Sequence, residues 1–428
     1  MTPRELLFGA FQAAVEAVSA GTLLPDHLPA PPARGRILVV AAGKAAAAMA
    51  AVVDKHYPSD TALTGLAITR HGHAMPASRI AVIEAGHPLP DAAGLAAAAR
   101  LRSLVAGAGP NDQVLALLSG GGSSLLTLPA PGLTLADLQT TLHSLLNSGA
   151  PIADINCVRK HLSSTLGGGL ARVCRAPVTA LLLSDVVGDE PSVIASGPFA
   201  PDPTTFADAL AVMSRSRVAI PRPVLAYLKQ GAAGAFPESA KPGEACFARI
   251  TTRILGNGRT ALDGAAHWLE RQGVETRVLG DHFQGEARLL AREFAGMTRT
   301  YLNQRPPGRP LMLLSGGEAQ VTVRGRGRGG RNGEFLLALG LELAGLDPGD
   351  QARVHALAAD TDGIDGSGEN AGALLAPDSL ARAAALGLNG ETCLDENDAL
   401  AFFSALGDTL VTGPTRTNAN DFRGILLA

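Results

Sequence analysis

Residues 114–124 read VLALLSGGGSS, an apolar run that passes directly into three glycines and two serines. Residues 311–318 read LMLLSGGE and break in a similar way. A buried strand that gives way to glycines exposes successive backbone N–H groups with no side chain over them, and such a turn can bind an anion. Two turns of this kind, far apart in the sequence, predict two α/β halves that face one cleft and bind phosphate.

Length and composition predict a compact soluble protein of two domains. The chain has 428 residues, more than one hydrophobic core usually supports. Hydrophobic residues make up 46% and charged residues 18%, with 50 glycines, which argues against a disordered or fibrous chain. The formal net charge of -3 provides no broad basic surface and argues against nucleic acid as a partner.

The cysteines and the apolar segments predict a cytoplasmic location. Four cysteines occur without any C-x-x-C pair, which fits a reducing compartment better than a disulfide or zinc framework. The N-terminus lacks the pattern of a signal peptide and instead predicts a helix with one apolar face. The best candidate for a membrane span, residues 37–53, contains Gly43 and Lys44, so no interaction with a membrane is expected.

Short apolar runs alternate with alanine-rich helical segments from residue 37 onward. This alternation predicts a mostly parallel sheet with helices on both faces. The predicted strands are 37–41, 66–69, 80–84, 114–118 and 178–183, and the predicted helices are 45–53 and 92–105.

Glycine, proline and polar residues replace the apolar periodicity at residues 229–243, as in a linker or a long surface loop. We therefore predict an N-terminal domain of residues 1–237 and a C-terminal domain of residues 238–428. The α/β pattern restarts in the second domain. Its predicted strands are 248–255, 275–279, 311–314, 321–323 and 354–358, and its predicted helices are 260–272 and 333–344.

Gly43 and Lys44 stand where the first predicted strand becomes a helix. A lysine at this place lies beside free helix N–H groups, and together they can hold a phosphate or a carboxylate. The segment is not a Walker A loop, because Leu38 replaces the required glycine and Ala45 replaces the required serine or threonine. The alternative is an exposed lysine that caps a turn.

The turn at residues 119–124 offers backbone N–H groups and hydroxyls to phosphate oxygens. A serine nucleophile is disfavoured, because Leu125 occupies the last position of a G-x-S-x-G motif. A plain tight turn is the alternative, but three consecutive glycines cost backbone entropy and favour close approach of a ligand.

Acidic residues follow two further apolar strands. Asp185 and Asp189 lie in residues 183–190, and residues 359–366 contain three more aspartates. Such carboxylates can bind Mg²⁺ or accept a hydroxyl proton, and an ordinary acidic surface loop is the alternative. The second run is not an EF-hand, because Ile364 occupies a ligand position and the closing glutamate is missing.

Residues 325–330 match G-x-G-x-x-G between a predicted strand and a predicted helix. Four arginines crowd this loop, more positive charge than one pyrophosphate at a helix N-terminus requires. The expected acidic ribose partner is also missing from the end of a second strand. We interpret the loop as phosphate-binding and the dinucleotide pattern as coincidental, with Arg326 and Arg328 as candidates for a merely solvated edge.

In their order along the chain, these segments resemble the class II glycerate 2-kinase family. Its C-terminal part is the leucine-rich MOFRL domain, and its members have often been labelled hydroxypyruvate reductases. The matching segments span nearly the whole chain: AGK at 42–44, EAGHP at 84–88, LSGGGSS at 118–124, NCVRKHLS at 156–163, SDVVGD at 184–189, ASGP at 195–198, SGGE at 315–318, GGRN at 329–332, DTDGIDG at 360–366 and TGPTRTN at 412–418. One departure is Gly333, since the family usually continues this Arg-Asn pair with Gln-Glu.

The resemblance implies ATP-dependent, Mg²⁺-assisted phosphorylation of D-glycerate at its 2-hydroxyl, which gives 2-phosphoglycerate. It also implies a larger Rossmann-like domain and a smaller α/β domain, with the MOFRL region at about residues 310–425 and the active site in the cleft between them. The expected partners are glycerate and ATP, and a homodimer is left open.

The resemblance also implies roles for individual residues. Lys44 and Arg331 are expected to be catalytic and to neutralise the transferring phosphoryl oxygens. Asp185 or Asp189 is expected to hold Mg²⁺ or to accept the hydroxyl proton, with Asp189 counted among the catalytic residues. The remaining substrate and nucleotide contacts are expected from Ser119, Gly120, Gly121, Gly122, Ser123, Ser124, Asn156, Arg159, Lys160, Ser315, Gly316, Gly317, Glu318, Asn332, Glu334, Asp360 and Asp362.

Other functions stay open on the sequence alone. The main alternative is an NAD(P)H-dependent hydroxypyruvate reductase, favoured by the glycine pattern at 325–330 and by the family's older label. A non-catalytic sensor of sugar phosphates or nucleotides is a second alternative, although no output domain is recognisable. A related hydroxy acid such as tartronate is an alternative substrate.

Overall fold

The computed structural model describes residues 1–305 and 308–428. They form two compact units, Leu23–Leu255 and Met1–Thr22 together with Gly256–Ala428. Each unit is built around a six-stranded sheet. We refer to them as the parallel-sheet unit and the mixed-sheet unit. The chain begins with helices α1 (Pro3–Ala17) and α2 (Ala20–Leu23).

The parallel-sheet unit confirms the alternation of strands and helices predicted from the sequence. Its strands are β1 (Ile37–Ala42), β2 (Leu63–Arg70), β3 (Ile80–Ala85), β4 (Gln113–Leu118), β5 (Val178–Leu183) and β6 (Ile250–Gly256). Its helices are α3 (Ala46–His56), α4 (Ala92–Ala106), α5 (Gly122–Leu125), α6 (Leu135–Asn147), α7 (Ile152–His161), α8 (Gly169–Val173), α9 (Phe206–Ser216) and α10 (Arg222–Ala232), with short 3-10 turns at Pro25–His27, Ile194–Ser196 and Ala245–Arg249.

The strand order in this sheet is β3-β2-β1-β4-β5-β6. Strands β1 to β5 pair in parallel. Every residue of β1 is buried, as expected for a central strand covered on both faces. Because the order reverses between β1 and β4, the sheet has a topological switch point there.

The mixed-sheet unit is also α/β, but most of its strands are antiparallel. Its strands are β7 (Glu275–Glu286), β8 (Leu311–Gln320), β9 (Val354–Asp360), β10 (Gly372–Leu375), β11 (Thr409–Leu410) and β12 (Asp421–Leu427). Its further helices are α11 (Gly258–Arg271), α12 (Ala287–Gln304), α13 (Arg331–Leu343), α14 (Pro348–Gln351), α15 (Ser379–Ala385), α16 (Gly390–Asp395) and α17 (Ala399–Leu406). The order is β11-β10-β9-β12-β8-β7, and only the β7–β8 pair among these neighbours in the described chain is parallel.

The prediction of a turn at the second Ser-Gly-Gly segment is wrong. Residues Ser315, Gly316 and Gly317 continue within β8 and pair with β7 and β12. The pairing of β8 with β12 is regular, whereas its pairing with β7 has register shifts between Val278 and Gly280 and between Gly280 and Phe283. Gly317 has φ 129°, and a Cβ there would overlap the backbone of Phe283, so glycine is required for the strands to approach.

The compact units divide the chain at residues 255 and 256, not at the predicted boundary of 237 and 238. Helix α10 occupies the start of the predicted linker, and Ser239 donates a 2.7 Å hydrogen bond to Asp202 within the parallel-sheet unit. Helix α1 belongs to the mixed-sheet unit, where Gly9 leaves room for the ring of Trp268 on α11. In the ranges that the structure describes, no helix has the length and apolar character needed to span a membrane.

Candidate functional site

The carboxyl ends of β1, β4 and β5 meet at one edge of the parallel sheet. Ala42 pairs with Leu118, and Leu118 pairs with Leu182, so the loops after the three strands start side by side. The first two loops flank the switch point between β1 and β4, which is where sheets of this type bind ligands. This arrangement brings together Gly43-Lys44, residues 119–124 and the loop that contains Asp185.

Backbone and hydroxyl hydrogen bonds join the loops after β1 and β4. Lys44 N donates to Gly120 O at 2.9 Å, and Ala45 N donates to Ser119 Oγ at 3.1 Å. Gly43 has φ 128°, and a Cβ at this position would overlap Ser119. Glycine is therefore required at position 43, and the hydroxyl of buried Ser119 has a structural partner.

Lys44 lies beside the glycine turn predicted to bind phosphate. Gly121 has φ 79°, and a Cβ there would come within 3.4 Å of Lys44 Cγ and 3.0 Å of the His87 ring. Within the described chain, the backbone N–H groups of Gly120 and Gly121 donate to no backbone carbonyl in the turn. Two N–H donors beside a lysine side chain can hold an anion, and the anion site expected from the sequence stays a prediction.

A chain of hydrogen bonds leads from this turn to α7. Ser123 Oγ and Ser196 Oγ are 2.8 Å apart, and Ser196 Oγ donates to Asn156 Oδ1 at 3.3 Å. Arg159 Nη1 also donates to Asn156 Oδ1, at 2.9 Å. Ser196 lies in a stretch of three consecutive left-handed residues, Ala195 to Gly197, a strained backbone of the kind that clusters at functional sites.

Lys160 and Ser124 have structural partners. The Lys160 amine is 2.6 Å from Asp202 Oδ1, and both side chains are buried. Burial by itself would raise the pKa of Asp202, but the Lys160 ammonium and neighbouring hydroxyl donors hold it below its ordinary value. Ser124 Oγ donates to Gly121 O and closes the turn. Gly122 lies against Ala195, where a Cβ would come within 2.6 Å of the alanine methyl.

Asp185 and Asp189 are half-buried in the loop that follows β5. Asp189 adopts φ 55°, and its backbone N–H closes a turn onto Val186 O. The loop lies at the same sheet edge as Lys44. These two carboxylates are the candidates to hold a divalent cation at this edge.

In the mixed-sheet unit, Arg331 lies at the first turn of α13 and contacts three carboxylates. Nε is 2.6 Å from Asp421 Oδ1, Nη2 is 2.7 Å from Asp360 Oδ2, and Nη1 is 3.4 Å from Glu318 Oε1. Burial by itself would lower the pKa of Arg331, but the carboxylates raise it well above its ordinary value. Short contacts to Asp421 and Asp360 fix Nε and Nη2 of the guanidinium. Nη1 makes the longest of the three contacts and is the nitrogen best placed to bind a ligand.

Strand register explains why these carboxylates meet. Asp421 at the start of β12 pairs with Gly317 of β8 on one side and with Asp360 of β9 on the other. Its second oxygen accepts from Arg423 Nη2 at 2.5 Å and from Ala319 N at 2.8 Å. Burial by itself would raise the pKa of Asp421, but Arg331 and Arg423 hold it below its ordinary value.

Asp365 binds the N-terminal turn of α13. Its two oxygens accept from Asn332 N at 3.0 Å and from Gly333 N at 2.9 Å. Burial raises the pKa of Asp365 to about 6, although these two N–H groups act in the opposite direction. The carboxylate therefore occupies the place at this helix terminus where an anionic ligand could otherwise bind.

The other candidates in this unit have mixed outcomes. Glu334 is buried and contacts Arg288 at 2.7 Å and Asn397 at 2.9 Å, which makes it part of the helix packing. Asn332 donates from Nδ2 to Asp421, while its Oδ1 is buried without a partner in the described chain. Asp362 Oδ1 accepts from Ile364 N at 2.8 Å and shapes its own loop.

One prediction for residues 321–330 is wrong, because residues 321–323 form no strand. The backbone donors of the loop that follows are bound to protein. Arg324 N and Gly325 N donate to Asn397 Oδ1, Arg326 N donates to Glu396 and Arg328 N donates to Asp398. A Cβ at residue 325 or 327 would overlap residues 396–398, so these glycines serve packing. Backbone N–H groups of the loop are therefore engaged within the protein, whereas phosphate binding by its arginine side chains and a coincidental match to G-x-G-x-x-G stay predictions.

The sequence reasoning missed Asp421, Arg423 and the cap at Asp365. Arg423 is 1% exposed and lies with its guanidinium carbon 5.2 Å from the Phe335 ring centroid. The available signal was a pair of opposite charges at the start of the apolar run that ends the chain, because buried charges are rare unless they are paired.

Comparisons with known proteins agree with this architecture. A domain of unknown function, DUF4147, matches residues 6–229, and the MOFRL family matches residues 311–421. A putative hydroxypyruvate reductase of Agrobacterium vitis is 44% identical over 100% of this chain and 95% of its own length. A D-glycerate 2-kinase of Thermotoga maritima is 36% identical over 90% of this chain and 89% of its own length.

A solved structure is similar as well. The crystal structure of a glycerate kinase from Thermotoga maritima matches with a TM-score of 0.83 and 34% identity, and the match covers 99% of both chains. The expected α/β fold is therefore confirmed by a relative of known structure.

Proposed function

The chain belongs to the class II glycerate 2-kinase family, and we propose that it transfers the γ-phosphoryl group of ATP to the 2-hydroxyl of D-glycerate. The observation that carries the proposal is the position of Lys44 beside the glycine turn at the switch point of the parallel sheet. Phosphoryl transfer depends mainly on positioning and on neutralisation of oxygen charge, which a lysine and backbone N–H groups supply.

Each charged group has a proposed role in the transfer. The N–H groups of Gly120 and Gly121 and the Lys44 ammonium bind phosphate oxygens. Arg331 acts in the same transfer through Nη1, while Asp421 and Asp360 fix the other edges of its guanidinium. The contact between Nη1 and Glu318 Oε1 is long, at 3.4 Å. A phosphate oxygen that binds Nη1 therefore displaces only a weak ion pair.

Mg²⁺ fits the carboxylates at the edge of the parallel sheet. In residues 1–305 and 308–428, no group of three or more histidine, cysteine and acidic side chains is arranged to hold a metal. Mg²⁺ commonly takes one or two protein carboxylates, with phosphates and water as its other ligands. Asp185 and Asp189 can provide these two, and either can instead accept the proton of the 2-hydroxyl. When bound, the ion neutralises charge on the phosphate oxygens.

Hydroxypyruvate reduction is the second candidate, because the Agrobacterium relative carries that name. The structure of the loop at 325–330 does not favour it, since backbone donors needed for a pyrophosphate are bound to residues 396–398. A cytoplasmic location and a homodimer stay predictions; the first is supported by four cysteines that are all unpaired.

Two parallel assays on the purified protein distinguish the candidates. One follows ADP release with ATP, Mg²⁺ and D-glycerate or tartronate, and the other follows loss of NADH absorbance with hydroxypyruvate. We expect glycerate-dependent ADP release and no oxidation of NADH. Oxidation of NADH without ADP release would reject the kinase assignment.

A further inference from the structure

Arg159 is a buried cation that has no carboxylate partner among residues 1–305 and 308–428. The residue is 7% exposed, and Nη1 donates a 2.9 Å hydrogen bond to the neutral amide oxygen of Asn156. Nε is buried and has no hydrogen-bond partner within the described residues. Desolvation lowers the pKa of Arg159 to about 10.

Two other buried cations, one in each unit, have carboxylate partners. Lys160, the next residue, forms a 2.6 Å ion pair with Asp202. Arg423, the other deeply buried arginine considered above, is paired with Asp421 at 2.5 Å. An unpaired buried charge is strongly destabilising, so a fold keeps one only where something else compensates it. An anionic ligand would supply that compensation.

The neighbours of Arg159 indicate which anion fits. Asn156, Ser196 and Ser123 form a continuous set of amide and hydroxyl groups between the guanidinium and the glycine turn. These groups are suited to the hydroxyls of a small polar ligand. A single guanidinium balances one negative charge and forms a bidentate pair with a carboxylate. A triphosphate carries more charge and is better matched by Lys44 and the turn.

We propose that Arg159 binds the carboxylate of the hydroxy-acid substrate, with Asn156 and Ser196 beside it to orient the substrate hydroxyls. The parallel-sheet unit then contains two anion sites of different chemistry, one for phosphate at Lys44 and one for carboxylate at Arg159. The identity of this acid as glycerate rests on the proposed function. The presence of a carboxylate site does not depend on the proposed function, since hydroxypyruvate also carries a carboxylate.

Steady-state kinetics of Arg159→Gln and Arg159→Lys test this assignment in the full chain. Loss of a hydrogen bond to a charged group corresponds to about 10- to 100-fold in affinity, so the KM for D-glycerate should rise by about that factor in Arg159→Gln. The KM for ATP should stay within about twofold of wild type. Arg159→Lys keeps the charge but loses the bidentate fork, and should lie between the two.

Arg215→Gln is the matched control, because Arg215 is exposed and pairs with Asp154 at the surface. It should leave both KM values unchanged. A rise in the KM for ATP in place of that for glycerate would assign Arg159 to phosphate and overturn the proposal. Unchanged kinetics in both Arg159 variants would overturn it as well.

Direct binding separates this inference from the proposed function. Calorimetry with D-glycerate, and with its uncharged amide, requires no turnover and uses the same proteins. We expect wild type to prefer the acid over the amide and Arg159→Gln to lose that preference. If wild type binds the acid but transfers no phosphate, the kinase assignment fails and the carboxylate site stands. If Arg159→Gln does not fold, the comparison of Arg159→Lys with wild type decides.

Discussion

Replacement of Asp421 by asparagine should be among the most damaging conservative changes in the mixed-sheet unit. The Asp421 carboxylate is fully buried and lies 2.6 Å from Arg331 and 2.5 Å from Arg423. Removal of one partner of a buried ion pair costs about 3–5 kcal/mol, because the remaining charge is left uncompensated. Asp421→Asn leaves Arg423, at 1% exposed, without an anion at that distance.

The matched variant is Arg423→Met, which removes a cation and keeps a long side chain against Phe335. Asp421 then still pairs with Arg331 and still accepts from Ala319 N and Asn332 Nδ2. We expect this variant to lose less than about 2 kcal/mol, since no charge is left alone. The difference between the two variants isolates the effect of the uncompensated guanidinium.

Urea unfolding followed by tryptophan fluorescence measures both values. The chain has a single tryptophan, Trp268, which lies on α11 of the mixed-sheet unit and therefore reports on that unit. Extrapolated free energies of unfolding at pH 7 give the comparison. The reasoning is refuted if Asp421→Asn is as stable as wild type, or if Arg423→Met loses more than Asp421→Asn.

Three further changes have defined outcomes. Because the pKa of Asp365 is raised to about 6, its protonation stabilises the fold at low pH, and wild type should lose stability relative to Asp365→Asn as the pH rises through 6. Urea unfolding followed by Trp268 fluorescence from pH 5 to 7.5 should show this trend. A stability difference that does not change with pH would contradict it. Asp202→Asn leaves the Lys160 amine unpaired and should lower the free energy of unfolding by about 3–5 kcal/mol at neutral pH. Since the pKa of Asp202 is lowered, circular-dichroism melts should show that the stability difference from wild type shrinks as the pH falls below about 4. A constant difference would argue against the ion pair. Gly43→Ala places a Cβ at φ 128° against Ser119 and should cost about 1–3 kcal/mol and weaken ATP binding, whereas wild-type values in melting and ATP titration would show that the loops are not held as described.

The parallel-sheet unit was largely predictable, because the sequence patterns that specify it are local. Apolar strands that alternate with alanine-rich helices fix a parallel sheet, and the loop after β1 places Lys44 by topology alone. The order of the strands, and with it the switch point, required the structure. The sequence pattern in residues 114–124 correctly located the turn and its glycines.

The mixed-sheet unit was less predictable, because the contacts that define it join residues far apart in the sequence. Residues 321–323 have the composition of a strand, but the loop backbone that follows binds residues 396–398 instead of a neighbouring strand. Asp421 contacts Arg331, 90 positions away in the sequence, and only the antiparallel register of β12 with β8 and β9 brings them together. A short-range motif cannot show that a glycine-rich loop is already bound to protein.

A double-mutant cycle on turnover tests most directly whether Lys44 and Arg331 act in the same phosphoryl transfer. The kcat with D-glycerate, ATP and Mg²⁺ is measured for Lys44→Ala, Arg331→Lys and the double variant, with phosphorus NMR to confirm 2-phosphoglycerate as the product. Groups that act as a unit are strongly non-additive, so each single change should lower kcat by orders of magnitude and the double change by little more. Near-normal turnover in either single variant, or losses that multiply as for independent sites, would contradict the account.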